Sequence, residues 1–251
     1  MSDQEQTLQA SVARLRQIVN ALDPSQLDTP AYPSEWSIAD VLSHLGSGAE
    51  IMERRLGDSL SGSDTPDDFA PSVWDAWNAK EPAAQAADAP VADRALLERI
   101  GAVSDEERDP FTFAMGPMTL DWDGFLGLRL NEHALHLWDI EVALDPTASL
   151  APEAVEHIVD NLELIARFTG RPSGEERSIS VRTSDPRRDF LVTLGPDAVM
   201  LAPSAPVDPP DLELGAEAFI RLVYGRLDPD HTPPTKGPAD LDELRRAFPG
   251  P

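Results

Sequence analysis

The sequence predicts an α+β protein: an N-terminal four-helix bundle followed by a smaller C-terminal α+β domain. Three observations carry that prediction. Up to Asp145-Pro146, apolar residues recur at three- and four-residue spacing in separate long segments, which is the helical period. After residue 150, three short strand-like runs appear, divided by turn chemistry. No internal repeat links the two parts, so the expected division is residues 1–148 and 149–251.

The first helix is read over about Asp3 to Leu22, from the stripe Leu8, Val12, Leu15, Val19 and Leu22, and Asp23-Pro24 ends it. Residues 25–35 are proline-punctuated loop. The second helix has a clear start, with Ser37 as N-cap and Asp40 three residues on, a variant of the capping box. Its buried stripe is Ile38, Val41, Leu42, Leu45, Ala49, Met52 and Leu56, and Trp36 ahead of the cap is placed to staple against Val41. Residues 57–90 are rich in Ser, Asp, Pro and Ala. They read as a long crossover, with a short helix at Ser72–Trp77 anchored by Trp74 and Trp77.

A third helix is read over Val91 to Ile100. Residues 104–107 cap or turn, and Phe111 to Leu120 is extended, broken at Gly116-Pro117. The fourth long helix runs from about Trp122 to Ala143. Beyond it, Pro152 opens a helix through Phe168 that Gly170 closes. Strands follow at Ser178–Thr183, Phe190–Leu194 and Ala198–Ala202, with a fourth short one at Leu212–Leu214. A helix over Ala216–Gly225 and a last one over Leu241–Phe248 complete the chain.

Composition narrows the function. The net charge of −25, from 45 acidic against 20 basic residues, argues against nucleic-acid binding and against an anionic membrane surface. It also favours an anionic substrate only where arginines line the pocket. No apolar run approaches the roughly 18 residues that span a bilayer, and the acidic, polar N-terminus is unlike a signal peptide, so a cytoplasmic location is expected. The absence of cysteine excludes disulfides, thiolate metal sites and a cysteine nucleophile. Any thiol chemistry must use a thiol that arrives with a ligand. Lysine is nearly absent, and proline and alanine are abundant, as in the product of a GC-rich coding sequence.

Chemistry concentrates in Leu130-Asn131-Glu132-His133-Ala134-Leu135-His136-Leu137-Trp138-Asp139. Glu132 and His136, four apart, project from one helical face, and a carboxylate and an imidazole at that spacing can grip one metal ion. Such pairs also occur on solvated helix surfaces. Here the apolar neighbours Leu130, Leu135, Leu137, Trp138 and Ile140 leave the polar pair in need of partners. His44 lies at the edge of the second helix's stripe, with Gly48 one turn on leaving space beside it. A histidine there also reads as an ordinary core residue. In a bundle, side chains on facing helices converge in the core, so His44, Glu132 and His136 form a candidate two-histidine, one-carboxylate site. Three protein ligands leave tetrahedral zinc a fourth, open position, the mark of catalytic sites.

These residues resemble a known family. The pair His44 and Glu132-x-x-x-His136, the opening Trp36-Ser37-Ile38-Ala39-Asp40-Val41-Leu42-Ser43-His44-Leu45 and the later His136-Leu137-Trp138-Asp139 are similar to the mycothiol-dependent maleylpyruvate isomerases, within the DinB-like metal-binding superfamily. The resemblance covers most of the chain, including a C-terminal domain whose helix ends in a Gly-Arg pair, here Gly225-Arg226. It implies zinc or a related divalent ion at His44, Glu132 and His136, and mycothiol as the thiol. It also implies attack of that thiol on a small electrophile, by isomerisation or S-transfer. His133 departs from the family pattern and competes with Glu132 as a ligand candidate.

Asp139, three residues from His136, is a candidate to orient it. Arg226 is the candidate for binding a substrate carboxylate, with Arg221 as the alternative and both as thiol-cofactor contacts. Surface ion pairing is the other reading of either arginine. The expected partners are the electrophile and the thiol, in a monomer or weak homodimer. A non-catalytic ligand-binding or regulatory protein of the same superfamily, with a structural metal site, is the competing class.

Overall fold

A computed structural model describes residues 1–115, 118–172, 174 and 176–250. The chain divides into two compact units, Met1–Ala148 and Ser149–Pro251.

The first unit is helical. Its long helices are α1 (Asp3–Ala21), α2 (Ile38–Ser61), α4 (Pro82–Gly101) and α6 (Trp122–Leu144), with the shorter α3 (Phe69–Asn78) and α5 (Asp105–Arg108) between them. A hairpin of β1 (Phe113–Met115) and β2 (Met118–Leu120), paired Phe113 to Leu120, leads into α6. Gly116 and Pro117, read as the break in this segment, lie outside the described residues. The capping box expected at α2 forms reciprocally: Asp40 N–H donates to Ser37 Oγ at 3.1 Å, and Ser37 N–H donates to Asp40 Oδ2 at 2.8 Å.

The crossover read over residues 57–90 is mostly helical. Apart from the stretch 62–68 and a brief turn at 79–81, this region is helix. The prolines and alanines that look like loop are helix starts, Pro82 occupying the first turn of α4. Pro90 lies inside α4, where its missing N–H removes one helical hydrogen bond without ending the helix. Trp77 is buried as expected, whereas Trp74 is exposed. The tryptophan anchor works because of a glycine: a Cβ on Gly46 of α2 would stand 2.2 Å from the Trp77 ring. The surrounding core draws on Leu15, Ile38, Val41, Leu42, Leu45, Ala89, Leu137 and Ile140. Of these helices α6 is covered on most of its circumference, so its polar residues are forced to find partners inside the protein.

The second unit opens with α7 (Pro152–Ile158), a single 3-10 turn (Val159–Asn161) and α8 (Leu162–Thr169), so the one helix expected here is interrupted. Strands β3 (Arg177–Ser184), β4 (Asp189–Leu194), β5 (Val199–Pro203) and β6 (Leu212–Gly215) form one sheet in the order β5-β4-β3-β6. β4 is antiparallel to both neighbours, while β6 runs parallel to β3, Val181 opposite Leu212. Val181, Val192, Leu194 and Leu201 point to one buried face. Helices α9 (Ala216–Val223) and α10 (Leu241–Ala247) complete the unit.

Candidate metal centre

The capping box starts α2 at a defined residue, and from there His44 falls on the second turn. The unbroken helical period of α6 puts Glu132 and His136 one turn apart on one face. The two helices bring these side chains together. His44 Nε2 lies 3.1 Å from Glu132 Oε2, and His136 Nε2 lies 3.6 Å from the same oxygen. One ligand atom from each of the three residues lies within 4.8 Å of the others. Bonds of about 2.0 Å in a tetrahedral site separate ligand atoms by roughly 3.3 Å, so two of these spacings already match zinc-type coordination.

The donor chemistry also fits. His136 Nδ1 lies 2.8 Å from Asp139 Oδ2, and Asp139 is fully buried. A carboxylate beside Nδ1 holds the proton on that nitrogen, which leaves the Nε2 lone pair turned toward Glu132 and His44. Side-chain exposure grades across the site: 36% for His44, 40% for Glu132, 11% for His136 and none for Asp139. One flank is therefore open to a ligand while the other is anchored in the core. Burial pushes the Glu132 carboxyl up, but the hydrogen bond to His44 and the charges of His136, His44 and Arg129 together overcome it and hold the group at about 2. It is an anion throughout the neutral range, as a metal ligand must be.

Three residues near the site differ from their reading in sequence. Trp36, expected to staple the start of α2, is instead partly exposed and covers the site: its ring stacks on His136 at 5.9 Å and is tilted against His44 at 5.2 Å. His133, considered as a competing ligand, points elsewhere and is fully buried, with Nδ1 2.7 Å from Ser11 Oγ and Nε2 3.2 Å from Asp93 Oδ2. The space beside Gly48 is occupied by Arg129, whose Nη1 would lie 3.2 Å from a Cβ at that glycine.

Arg221 and Arg226 lie in the second unit, and both are buried. Arg221 donates from Nε and Nη2 to Glu217 at 2.7 and 3.0 Å, and from Nη1 to the carbonyl of His231 at 2.9 Å. Arg226 Nη1 donates to the Tyr224 carbonyl at 3.0 Å. Gly225 before it has φ +70°, and a Cβ there would meet the Gly250 backbone at 2.3 Å, so the turn that presents Arg226 requires glycine.

Fold and site together define a helical-bundle protein with a two-histidine, one-carboxylate cluster that could hold a metal ion, and a smaller sheet-containing domain behind it in sequence. The family model for the mycothiol maleylpyruvate isomerase N-terminal domain matches residues 8–141, more than half of the chain, and the chain belongs to that family. Its fold is that of a mycothiol-dependent maleylpyruvate isomerase whose crystal structure superposes with a TM-score of 0.68, at 12% identity and covering 90% of each chain. That comparison is with a histidine-to-alanine mutant. A second crystal structure of a mycothiol-dependent maleylpyruvate isomerase gives 0.64, at 11% identity and the same coverage. Uncharacterized proteins from two strains of Mycobacterium tuberculosis are each 28% identical over 156 residues, 61% of this chain and 75% of theirs.

Proposed function

We propose that this protein is a metal-dependent enzyme that uses mycothiol to attack a small electrophile, by cis–trans isomerisation of a maleylpyruvate-type substrate or by S-transfer. The observation that carries this reading is the convergence of His44, Glu132 and His136 on one point, with His136 oriented by the buried Asp139. A divalent ion such as zinc held by these residues supplies Lewis acidity that lowers the pKa of a bound thiol. The chain has no cysteine, so the reacting sulfur must come from the small-molecule thiol.

The protein's own groups have separable tasks in this proposal. Glu132 brings negative charge, so the three ligands together carry −1. Asp139 keeps the Nδ1 proton on His136 and fixes the ring's direction. Trp36 walls one side of the site with an apolar face, lowering local water density where a thiolate would otherwise be well solvated. We further propose that the first unit is the metal-binding domain and that Arg226, with Arg221 as the alternative, meets the carboxylate of the thiol or substrate. Guanidinium suits that role because its paired donors match a carboxylate.

The test is the metal content of purified protein beside His44→Ala and His136→Ala, with mycothiol binding followed calorimetrically on each. About one metal per chain, lost from both variants together with thiol affinity, supports the proposal. Folded wild-type protein that takes up no metal would favour a ligand-binding, non-catalytic role. Metal uptake without thiol affinity would point to water as the nucleophile.

A further inference from the structure

One buried polar network ties all four long helices of the first unit together, and metal binding does not use it directly. Arg129 of α6 donates from Nη2 to the backbone carbonyl of Leu45 in α2 at 2.9 Å and to Asp93 Oδ1 in α4. The other oxygen of Asp93 faces His133 Nε2 at 3.2 Å, and His133 Nδ1 lies 2.7 Å from Ser11 Oγ in α1. Arg129, Asp93 and His133 are 2%, 1% and 0% exposed.

Such a network is a poor way to gain stability. Removing an arginine and an aspartate from water costs several kcal/mol each, and apolar residues of the same volume fill a core at least as well. What an ion pair with a forked donor adds is direction, since guanidinium fixes its partners in angle as well as distance. The placement of those partners is informative. Leu45 is the residue after His44, and Gly48, whose bare Cα admits the guanidinium, is one turn beyond His44 on α2. Arg129 itself is three residues before Glu132 on α6. The fork therefore joins α2 to α6 beside the point where His44 meets Glu132 and His136.

We infer that Arg129, held by Asp93 and His133, is a positioning residue for the metal centre: it sets the register of α2 against α6 and so the spacing of the three ligands. The inference rests on the metal reading proposed above. Neither Arg129 nor Asp93 is one of the three candidate ligands, and apart from the charge that Arg129 lends Glu132 their effect reaches the site through the helix backbones.

The experiment compares wild type, His44→Ala and the double variant Arg129→Met/Asp93→Leu. Each is titrated with zinc alone by calorimetry and melted in its metal-free form. The double variant removes both charges at once, so it should melt within about 3 °C of wild type yet bind zinc about 10- to 100-fold more weakly, the loss typical of groups that orient metal ligands. A folded double variant with wild-type zinc affinity would overturn the inference and leave the metal reading intact. If the double variant does not fold, Arg129→Lys retains the charge without the fork. It is expected to bind zinc about tenfold more weakly, and unchanged affinity would again overturn the inference. A wild-type protein that takes up no zinc, like His44→Ala, would overturn both readings together.

Discussion

His136 has a carboxylate beside each ring nitrogen, Asp139 at Nδ1 and Glu132 at Nε2, and the buried Asp139 makes the strongest residue-scale prediction. Asp139→Asn removes the anion that holds the Nδ1 proton, so zinc affinity should fall about 10- to 100-fold with the helical circular dichroism unchanged. Competition with a chelating dye measures this, and equal affinities would show that Asp139 does not orient the ring. Glu132 gives a second prediction, in the metal-free protein. Its folded-state pKa of about 2 lies below its ordinary 4.5, so ionisation favours the folded state. That contribution is fully present above about pH 4.5 and is lost as the pH falls through about 2. A carboxyl carbon titration by NMR should find the midpoint near 2, and a midpoint at 4.5 or above would refute the ion-pairing described.

At the scale of elements, the polar contacts between helices matter more than any helix alone. Burial raises the Asp93 carboxyl, but His133 and Arg129 outweigh that and hold it below the usual range. Its stabilising charge is thus present above the unfolded value of about 3.9 and is lost as the pH drops through the lower folded value. Asp93→Asn leaves Arg129 buried without a counter-charge and should cost about 3–5 kcal/mol at pH 7 in urea unfolding. The gap to wild type should narrow below pH 4; a gap independent of pH would sink this assignment. Helix α4 offers the opposite case. Pro90 sits inside it, and Pro90→Ala restores a helical N–H and relieves a clash with the preceding turn, so the melting temperature should rise. A fall would mean that the proline ring's packing outweighs the restored hydrogen bond.

For the whole molecule, every ligand of the candidate centre belongs to the unit Met1–Ala148. A fragment ending at Ala148 is therefore expected to fold as a helical bundle and to bind one zinc per chain, while thiol or substrate affinity drops if Arg226 contributes. Calorimetry on the fragment and the full chain separates the two. A fragment that is helical but takes up no metal would contradict the placement of the site. No helix among the described residues is long and apolar enough to cross a membrane.

What the sequence by itself determined was periodic or paired. The stripes of α1, α2 and α6, the Ser37–Asp40 cap, the strands of the second unit and the Glu132–His136 spacing follow from local rules of helix and strand geometry, and His44 stood out at the edge of the α2 stripe before the family resemblance singled out the same three residues. The helix of residues 82–101 was only half legible, because Pro82 and Pro90 carry loop signals that burial against α2 overrides. What only the tertiary structure decided was contact across distance. Trp36 covers His136 from a hundred residues away, His133 turns to Ser11 and Asp93 instead of to the candidate ligands, and Arg129 fills the space that Gly48 leaves. A charge at Arg129 amid Phe125, Leu126, Leu128 and Leu130 was a visible signal, but its partner was not. A desolvated charge must be paired, and which helix supplies the pair is set by packing, which no local spacing encodes.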